Sequence, residues 1–145
     1  MHDIEANKAV ALEFLKSLET GPRFDLVADK ARWWIQGHGF LSLAEFRALV
    51  ERVASTKAPS VMTIHHVTAE EDRVAIECQG KGRLHDGRAY ENTYHFLFFV
   101  RDGLVAEVHE HFDTAYARDV LKGHAAGQAE VRPIGLTFAQ PGPSS

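Results

Sequence analysis

The sequence predicts an α+β domain in which helices cover one face of a curved antiparallel sheet. In the first part of the chain, apolar residues recur at helical spacing over 3–19, 24–31 and 42–55. From residue 61 onward they alternate with polar residues instead, and polar turns separate the runs, which is the pattern of β-strands. Three helices, a meander of strands and a short closing helix therefore describe the chain.

The first two helices and the strand that follows them are predicted from spacing and turn residues. Residues 3–19 place their apolar side chains on one stripe, and Gly21-Pro22 ends that helix. A shorter helix is predicted from Phe24 to Ala31. It leads into Trp33-Trp34-Ile35, a bulky run that favours a strand.

The third helix has a distinct start signal. Gly37 and Gly39 predict a loop, and Ser42 with Glu45 forms a capping box in which each side chain pairs with the backbone of the other residue. Apolar residues continue at helical spacing through residue 55.

The second half of the chain predicts four strands. Residues 61–68 and 73–84 pair around the polar turn 70–72. The run 94–100 is apolar on both sides, which is typical of a central strand covered on both faces. Asp102-Gly103 predicts a tight hairpin to the last strand, after which a short helix closes the block.

The last strand carries a carboxylate on its apolar side. By simple alternation Leu104, Ala106, Val108 and Phe112 share one face, and Glu110 falls on that same face. A buried carboxylate is costly unless it is paired or protonated, so its position indicates a pocket that uses it.

Composition limits the class of protein. With 145 residues the chain is one domain, large enough for a core and an internal cavity. A net charge of −4 gives no basic footprint for nucleic acid, and no apolar run is long enough to span a membrane. The acidic start of the chain and the single cysteine, Cys78, favour a reducing compartment, so we expect a cytoplasmic protein.

The folded domain is predicted over residues 1–122. The remainder, 123–145, is rich in glycine and proline and is predicted to be a tail. Ile134, Leu136 and Phe138 alternate within it, so this segment could dock as an edge strand, including on a partner subunit.

The order of elements, the hairpin and the ending EHFDTAYARDVL at 110–121 resemble the SnoaL-like branch of the nuclear transport factor 2 superfamily. This superfamily includes ketosteroid isomerases, limonene epoxide hydrolases, scytalone dehydratase and polyketide cyclases. The resemblance implies a cone-like α+β barrel with a cavity between the concave sheet face and the helices. It also implies a homodimer formed through the convex face, and it covers residues 3–121.

This chain lacks the full sets of catalytic residues found in two groups of relatives. The tyrosine and two aspartates of ketosteroid isomerases align with Phe14, Ile35 and Tyr94. The Arg-x-Asp pair of limonene epoxide hydrolases aligns with Glu77-Cys78-Gln79, and their last aspartate aligns with Glu110. Neither relative's chemistry is therefore expected in its known form. One acid, Glu110, is retained, with Tyr94 as a hydrogen-bond donor.

These residues define the catalytic candidates. Glu110 is the candidate general acid/base, because apolar surroundings raise the proton affinity of a carboxylate. His65 is predicted to face Glu77 across the strand pair, which could relay protons. Strand alternation places Glu77 outside the cavity and the family alignment places it inside. The sequence leaves both placements of Glu77 open.

Asp113 has two possible roles, as the cap of the last helix or as an acid at the pocket mouth. Aromatic and polar residues nearby are predicted to line the cavity or, alternatively, only to fill the core. The predicted ligand-binding residues are Phe14, Trp33, Ile35, Glu77, Gln79, Asn92, Phe96, Val108 and Phe112.

A competing motif begins at Gly103 and ends in His109-Glu110-His111, which resembles the start of a cupin metal site. His109 and His111 would share one strand face. However, the glutamate expected after His111 and the second cupin motif are missing. We therefore predict no metal and no cofactor.

Two functions remain open from the sequence. The first is a cofactor-free isomerase, lyase or cyclase that acts on a small, mostly apolar, carbonyl-bearing cyclic molecule. The second is a module of the same fold that binds such a molecule or a second copy of itself without catalysis. The missing catalytic sets of the relatives favour the second, and the position of Glu110 favours the first.

Overall fold

The structure is a computed structural model, and it describes residues 2–125. It contains three α-helices, six strands and one 3₁₀ turn. Their bounds are α1 Ile4–Ser17, the 3₁₀ turn Phe24–Leu26, β1 Val27–Ile35, β2 Gly39–Ser42, α2 Leu43–Ala54, β3 Val61–Glu70, β4 Arg73–Arg83, β5 Ala89–Arg101, β6 Leu104–Phe112 and α3 Thr114–Ala125. The predicted α+β class and the capping box at Ser42 and Glu45 are confirmed.

The strands form one curved sheet in the order β2-β1-β6-β5-β4-β3. All neighbouring strands are antiparallel except β1 and β6, which are parallel, so the sheet is mixed and not purely antiparallel as predicted. After β2 the chain crosses through α2 to β3 at the far edge and returns strand by strand. β6 therefore arrives beside β1 at the end of the meander.

The predicted second helix, Phe24 to Ala31, is wrong. Only the turn Phe24–Leu26 is helical, and β1 begins at Val27. The register between β1 and β6 shifts between Val27 and Arg32, so buried residues of this strand fall at helix-like intervals. The predicted loop at Gly39 is also corrected, because Gly39 begins β2.

A bulge changes which residues of β6 face the core. The pairing of β5 with β6 shifts between Phe99 and Val100, and Val105 becomes buried in place of its neighbours Leu104 and Ala106. Beyond the bulge the predicted alternation holds, because Val108 is fully buried and Glu110 lies on the same side.

The concave face of the sheet packs against α1 and α2. The centre of this core is aromatic, with the indole of Trp33 stacked on Phe46 at 3.8 Å between ring centroids. The convex face is less covered, and Leu97 and Phe99 of the central strand β5 are only half-buried there.

The helix α3 continues to Ala125, three residues past the predicted domain limit of 122. The predicted edge strand at Ile134, Leu136 and Phe138 lies outside the described residues. Among residues 2–125, no helix has the length and apolarity needed to cross a membrane.

Asn92 joins β5 to the start of α3. It is 3% exposed, and its amide nitrogen donates to the hydroxyl of Tyr90 and to the carbonyl of Asp113, both at 3.1 Å. Its amide oxygen accepts the N–H of Asp113 at 3.2 Å. The predicted ligand-binding role of Asn92 is therefore corrected to a structural one.

We expect Asn92→Leu to lower the free energy of unfolding by roughly 2 to 4 kcal/mol, because it leaves buried backbone groups without partners. Urea unfolding measures this loss. Thr93→Val, at the exposed neighbouring position, should change stability by less than about 0.5 kcal/mol. Equal effects of the two substitutions would contradict the structural role of Asn92.

Candidate functional site

Two neighbouring lobes that share five wall residues form a cavity between the sheet and the helices. The larger has a volume of about 230 Å³ and the smaller about 140 Å³. The residues common to both walls are Leu49, Val53, Lys57, Tyr94 and Glu110. Apart from a few polar groups, the walls are apolar, as is usual for sites that bind small organic molecules.

Glu110 is the acid at the junction of the lobes. It sits on β6 between Phe96 of β5 and Ile35 of β1. The indole N–H of Trp33 donates to its Oε1 at 2.7 Å. Its Oε2 receives no hydrogen bond from residues 2–125, which leaves this oxygen for a molecule in the cavity.

Burial raises the pKa of Glu110 from 4.5 to about 7, and the Trp33 hydrogen bond opposes part of that rise. Desolvation penalises the charged carboxylate, whereas a donor N–H stabilises it. The carboxyl group therefore has both protonation states available near neutral pH. General acid/base catalysis requires this property.

Packing fixes the direction of the Trp33 N–H. The indole lies nearly parallel to Phe46, with an interplanar angle of 10°, and Phe96 and Phe98 meet it edge-on. Trp33 is 5% exposed, so its ring has little room to rotate. Trp33 was predicted to line the cavity, but it lines neither lobe, and its N–H donates to Glu110.

Tyr94 lines both lobes, as predicted for a donor near Glu110. Burial raises the pKa of its phenol well above 10, so the hydroxyl stays neutral. Its interaction with Tyr90 also raises this pKa, and the Tyr90 oxygen accepts a hydrogen bond from Asn92. No hydrogen bond joins Tyr94 to Glu110 within the described part of the chain.

Three of the other predicted ligand-binding residues lie in the cavity wall. Phe96 lines the larger lobe, and Ile35 and Phe112 line the smaller one. Phe14 and Val108 are corrected, because both are fully buried in the core and line neither lobe. Their side chains fill the space beneath α1 and contact no open volume at Glu110.

The predicted pairing of His65 with Glu77 is wrong in register. A bulge between Ile64 and His66 places His66 opposite Glu77, and its Nδ1 lies 2.7 Å from Oε1 of that residue. His65 and Glu77 are both exposed, and His66 lowers the pKa of Glu77.

Gln79 shares the outer face with Glu77, because Ile76 and Cys78 point into the core. Strand alternation was therefore right and the family alignment wrong. Glu77 and Gln79 line neither lobe of the cavity.

Asp113 caps α3, the first of its two predicted roles. Its Oδ1 accepts the backbone N–H of Tyr116 at 2.9 Å, and the side chain is exposed. The catalytic role predicted for Asp113 is not supported, because this carboxylate lies outside the walls of both lobes.

The two histidines of the competing motif lie on the convex face. His109 contacts Glu107 at 2.6 Å, and His111 packs against Trp34 with 5.0 Å between ring centroids. In the described range 2–125, no group of three or more His, Cys, Asp or Glu side chains is arranged to hold a metal ion.

An ion pair in the larger lobe was not predicted. Lys57 follows α2, and its Nζ lies 2.9 Å from Oε1 of Glu19 in the turn after α1. The two residues are 38 positions apart, and neither falls in a periodic pattern that would place it in the cavity. Only the packing of α1 against the segment after α2 brings them together.

The fold and the cavity define an α+β cone with Glu110 and the Lys57–Glu19 ion pair in an otherwise apolar interior. The SnoaL-like domain family matches residues 23–108, more than half of the chain. The chain therefore belongs to the SnoaL-like domain family, as the resemblance implied. No curated protein sequence matches the chain.

Solved structures show the same fold at low identity. PrhC from Penicillium brasilianum NBRC 6234 is 21% identical with a TM-score of 0.76, over 92% of this chain and 96% of that chain. BvnE pinacolase from Penicillium brevicompactum is 15% identical with a TM-score of 0.76, over 84% and 92%. A protein with a ketosteroid isomerase-like fold from Catenulispora acidiphila DSM 44928 is 14% identical with a TM-score of 0.60, over 69% and 82%.

The raised pKa of Glu110 predicts a pH-dependent stability. The folded state holds a proton that the unfolded state releases near pH 4.5, so the free energy of unfolding falls as pH rises through about 7. The full loss is roughly 3 kcal/mol by the conversion of about 1.4 kcal/mol per pKa unit. Urea unfolding between about pH 4.5 and about pH 8 should show this slope in the wild type and lose it in Glu110→Gln. Glu51→Gln, at an exposed position of α2, should keep the slope.

Proposed function

We propose that this protein is an acid–base catalyst for a small, mostly apolar molecule that carries a carbonyl group. The supporting observation is Glu110, a carboxyl group with a pKa of about 7 and a free oxygen inside an apolar cavity. The reaction class is isomerisation, elimination or cyclisation, in which proton transfer next to a carbonyl is the difficult step.

The proposed chemistry needs one group that accepts a proton and returns it. As a carboxylate, Glu110 takes a proton from the carbon beside the carbonyl, and the electron pair moves onto the carbonyl oxygen. As an acid, it returns the proton at another carbon. A pKa near the working pH suits both halves of the cycle. The hydrogen bond from Trp33 favours the carboxylate form and keeps its geometry fixed.

The structural relatives support an enzyme on this scaffold without identifying its reaction. BvnE is a pinacolase by name and shares the fold at 15% identity. Function is carried by the site and not by the scaffold, so the particular substrate must be found by experiment. Native mass spectrometry of the purified protein, followed by identification of any organic adduct, is the direct route.

With a substrate in hand, Glu110→Gln should lower kcat by at least about a hundredfold, because the amide cannot exchange a proton. Trp33→Phe should instead keep turnover. The pKa read from the rising limb of its kcat/KM profile should lie above about 7, because the N–H that lowers the pKa of Glu110 is gone. The pH–rate profile of both variants tests this. A profile in Trp33→Phe that matches the wild type would contradict the proposed role of Glu110.

The alternative is a binding module. In place of the tyrosine and two aspartates of ketosteroid isomerases, this chain has Phe14, Ile35 and Tyr94 at the aligned positions. Ligand binding with no turnover, and equal affinity in Glu110→Gln, would assign the protein to that class.

We propose in addition that two copies associate through the convex face. Leu97 and Phe99 of the central strand are half-buried there, and Trp34 and His111 extend the same surface. Sedimentation equilibrium should give a dimer for the wild type and a monomer for Phe99→Glu. Glu51→Lys, on the exposed side of α2, should leave the dimer intact. A monomeric wild type would contradict the proposal.

A further inference from the structure

Lys57 is an unusually enclosed lysine. Its side chain is 12% exposed, and lysines are rarely buried unless they are paired. Its ammonium group donates to Oε1 of Glu19 at 2.9 Å and to Oγ of Ser60 at 3.0 Å. Glu19 also accepts the backbone N–H of Ser60, so the segment after α2 and the turn after α1 both contact the lysine.

One of the three N–H donors of Lys57 is not used by Glu19 or Ser60. An ammonium group has three N–H bonds, and two of them are used by Glu19 and Ser60. Lys57 lies in the walls of both lobes, so the third N–H is available to a molecule at their junction. Tyr94 also lines both lobes, and its hydroxyl interacts with Tyr90.

Stability gives no clear reason for an ion pair at this position. Two charges taken out of water lose solvation that their attraction often fails to recover, and well-packed apolar residues are frequently at least as stable. Lys57 and Glu110 also make no ion pair with each other, because each has its own partner. Both residues line both lobes, so the donor and the acid belong to the same cavity wall.

The charges of the cavity select the kind of molecule. Lys57 and Glu19 cancel each other, and Glu110 adds either no charge or one negative charge. A carboxylate ligand would meet two acids for one cation and would be repelled. A neutral ligand with a carbonyl oxygen satisfies the spare N–H and adds no charge.

We propose that Lys57 holds the carbonyl oxygen of a neutral ketone at the junction of the two lobes. Lys57 is then the ligand-positioning residue, and it also sets the specificity for neutral carbonyl compounds. The proposal that Lys57 binds the ketone does not depend on catalysis. A catalytic contribution of Lys57 rests on the proposed role of Glu110. In the catalytic step, the C–H bond beside the carbonyl breaks, Glu110 gains the proton, and the C=O electrons become an enolate oxygen that accepts the Lys57 N–H.

The test compares one ring system with three substituents. β-Tetralone, tetralin and the carboxylate of tetralin are titrated into the protein, and the dissociation constants are measured by NMR. The wild type should bind the ketone about tenfold more tightly than the hydrocarbon, as expected for one hydrogen bond from a charged donor, and the carboxylate more weakly than the ketone. Lys57→Met should abolish the preference for the ketone. Lys30→Met, at an exposed position of β1, should keep it.

A second readout separates positioning from folding. The carbonyl stretch of ¹³C-labelled β-tetralone should move to lower frequency in the wild type and in Glu110→Gln, and it should return toward its value in apolar solvent in Lys57→Met. The double variant Lys57→Met/Glu19→Gln removes both charges of the ion pair. It replaces Lys57→Met in these measurements if the single variant does not fold because Glu19 is left unpaired.

Three results would overturn the proposal. They are equal affinity of the wild type for ketone and hydrocarbon, an unchanged preference in the folded lysine variant, and a carbonyl shift that depends on Tyr94→Phe and not on Lys57. Retained turnover with unchanged ketone preference in the lysine variant would contradict the role of Lys57 and leave the role of Glu110 supported. A wild type that prefers the ketone but does not turn it over would support the role of Lys57 and contradict the role of Glu110.

Discussion

The hydrogen bond between the indole of Trp33 and the carboxylate of Glu110 is the interaction on which the site depends. Burial alone would drive the carboxyl group toward a permanently protonated state. The donated N–H at 2.7 Å opposes that tendency, and the pKa stays at about 7. The same bond occupies Oε1 and leaves Oε2 for the cavity. One contact therefore sets both the proton affinity and the direction of the acid.

This contact exists because β1 and β6 are parallel neighbours. In their register Trp33 is opposite Val108 and Ile35 is opposite Glu110, so the indole reaches diagonally along the strands to the acid. The stack of Trp33 on Phe46 then connects this pair to α2. The chain crossover that makes the sheet mixed is thus what delivers a hydrogen-bond donor to a carboxylate more than seventy residues away in sequence.

The sequence predicted which strand residues face the cavity where the alternation is regular. It failed where a bulge interrupts the alternation. Glu110 and Tyr94 were found because they continue the inward-facing rows of β6 and β5. A one-residue bulge moved the partner of Glu77 from His65 to His66, since a shift of one residue exchanges the two faces of a strand. Lys57 was missed because its burial depends on a tertiary contact with Glu19 that no local pattern records.

Under the proposed function, the polar groups of the cavity have complementary tasks during proton transfer. Before transfer the negative charge is on Glu110, where the Trp33 N–H stabilises it. After transfer Glu110 is neutral and the charge is on the ligand oxygen, which faces the spare N–H of Lys57. The net charge inside the apolar walls does not change during the step, so no solvent has to reorganise around a new charge. Because the oxygen is more negative in the transition state than in the bound ketone, Lys57 binds the transition state more strongly than the substrate. That difference is the condition for a positioning residue to raise kcat as well as affinity.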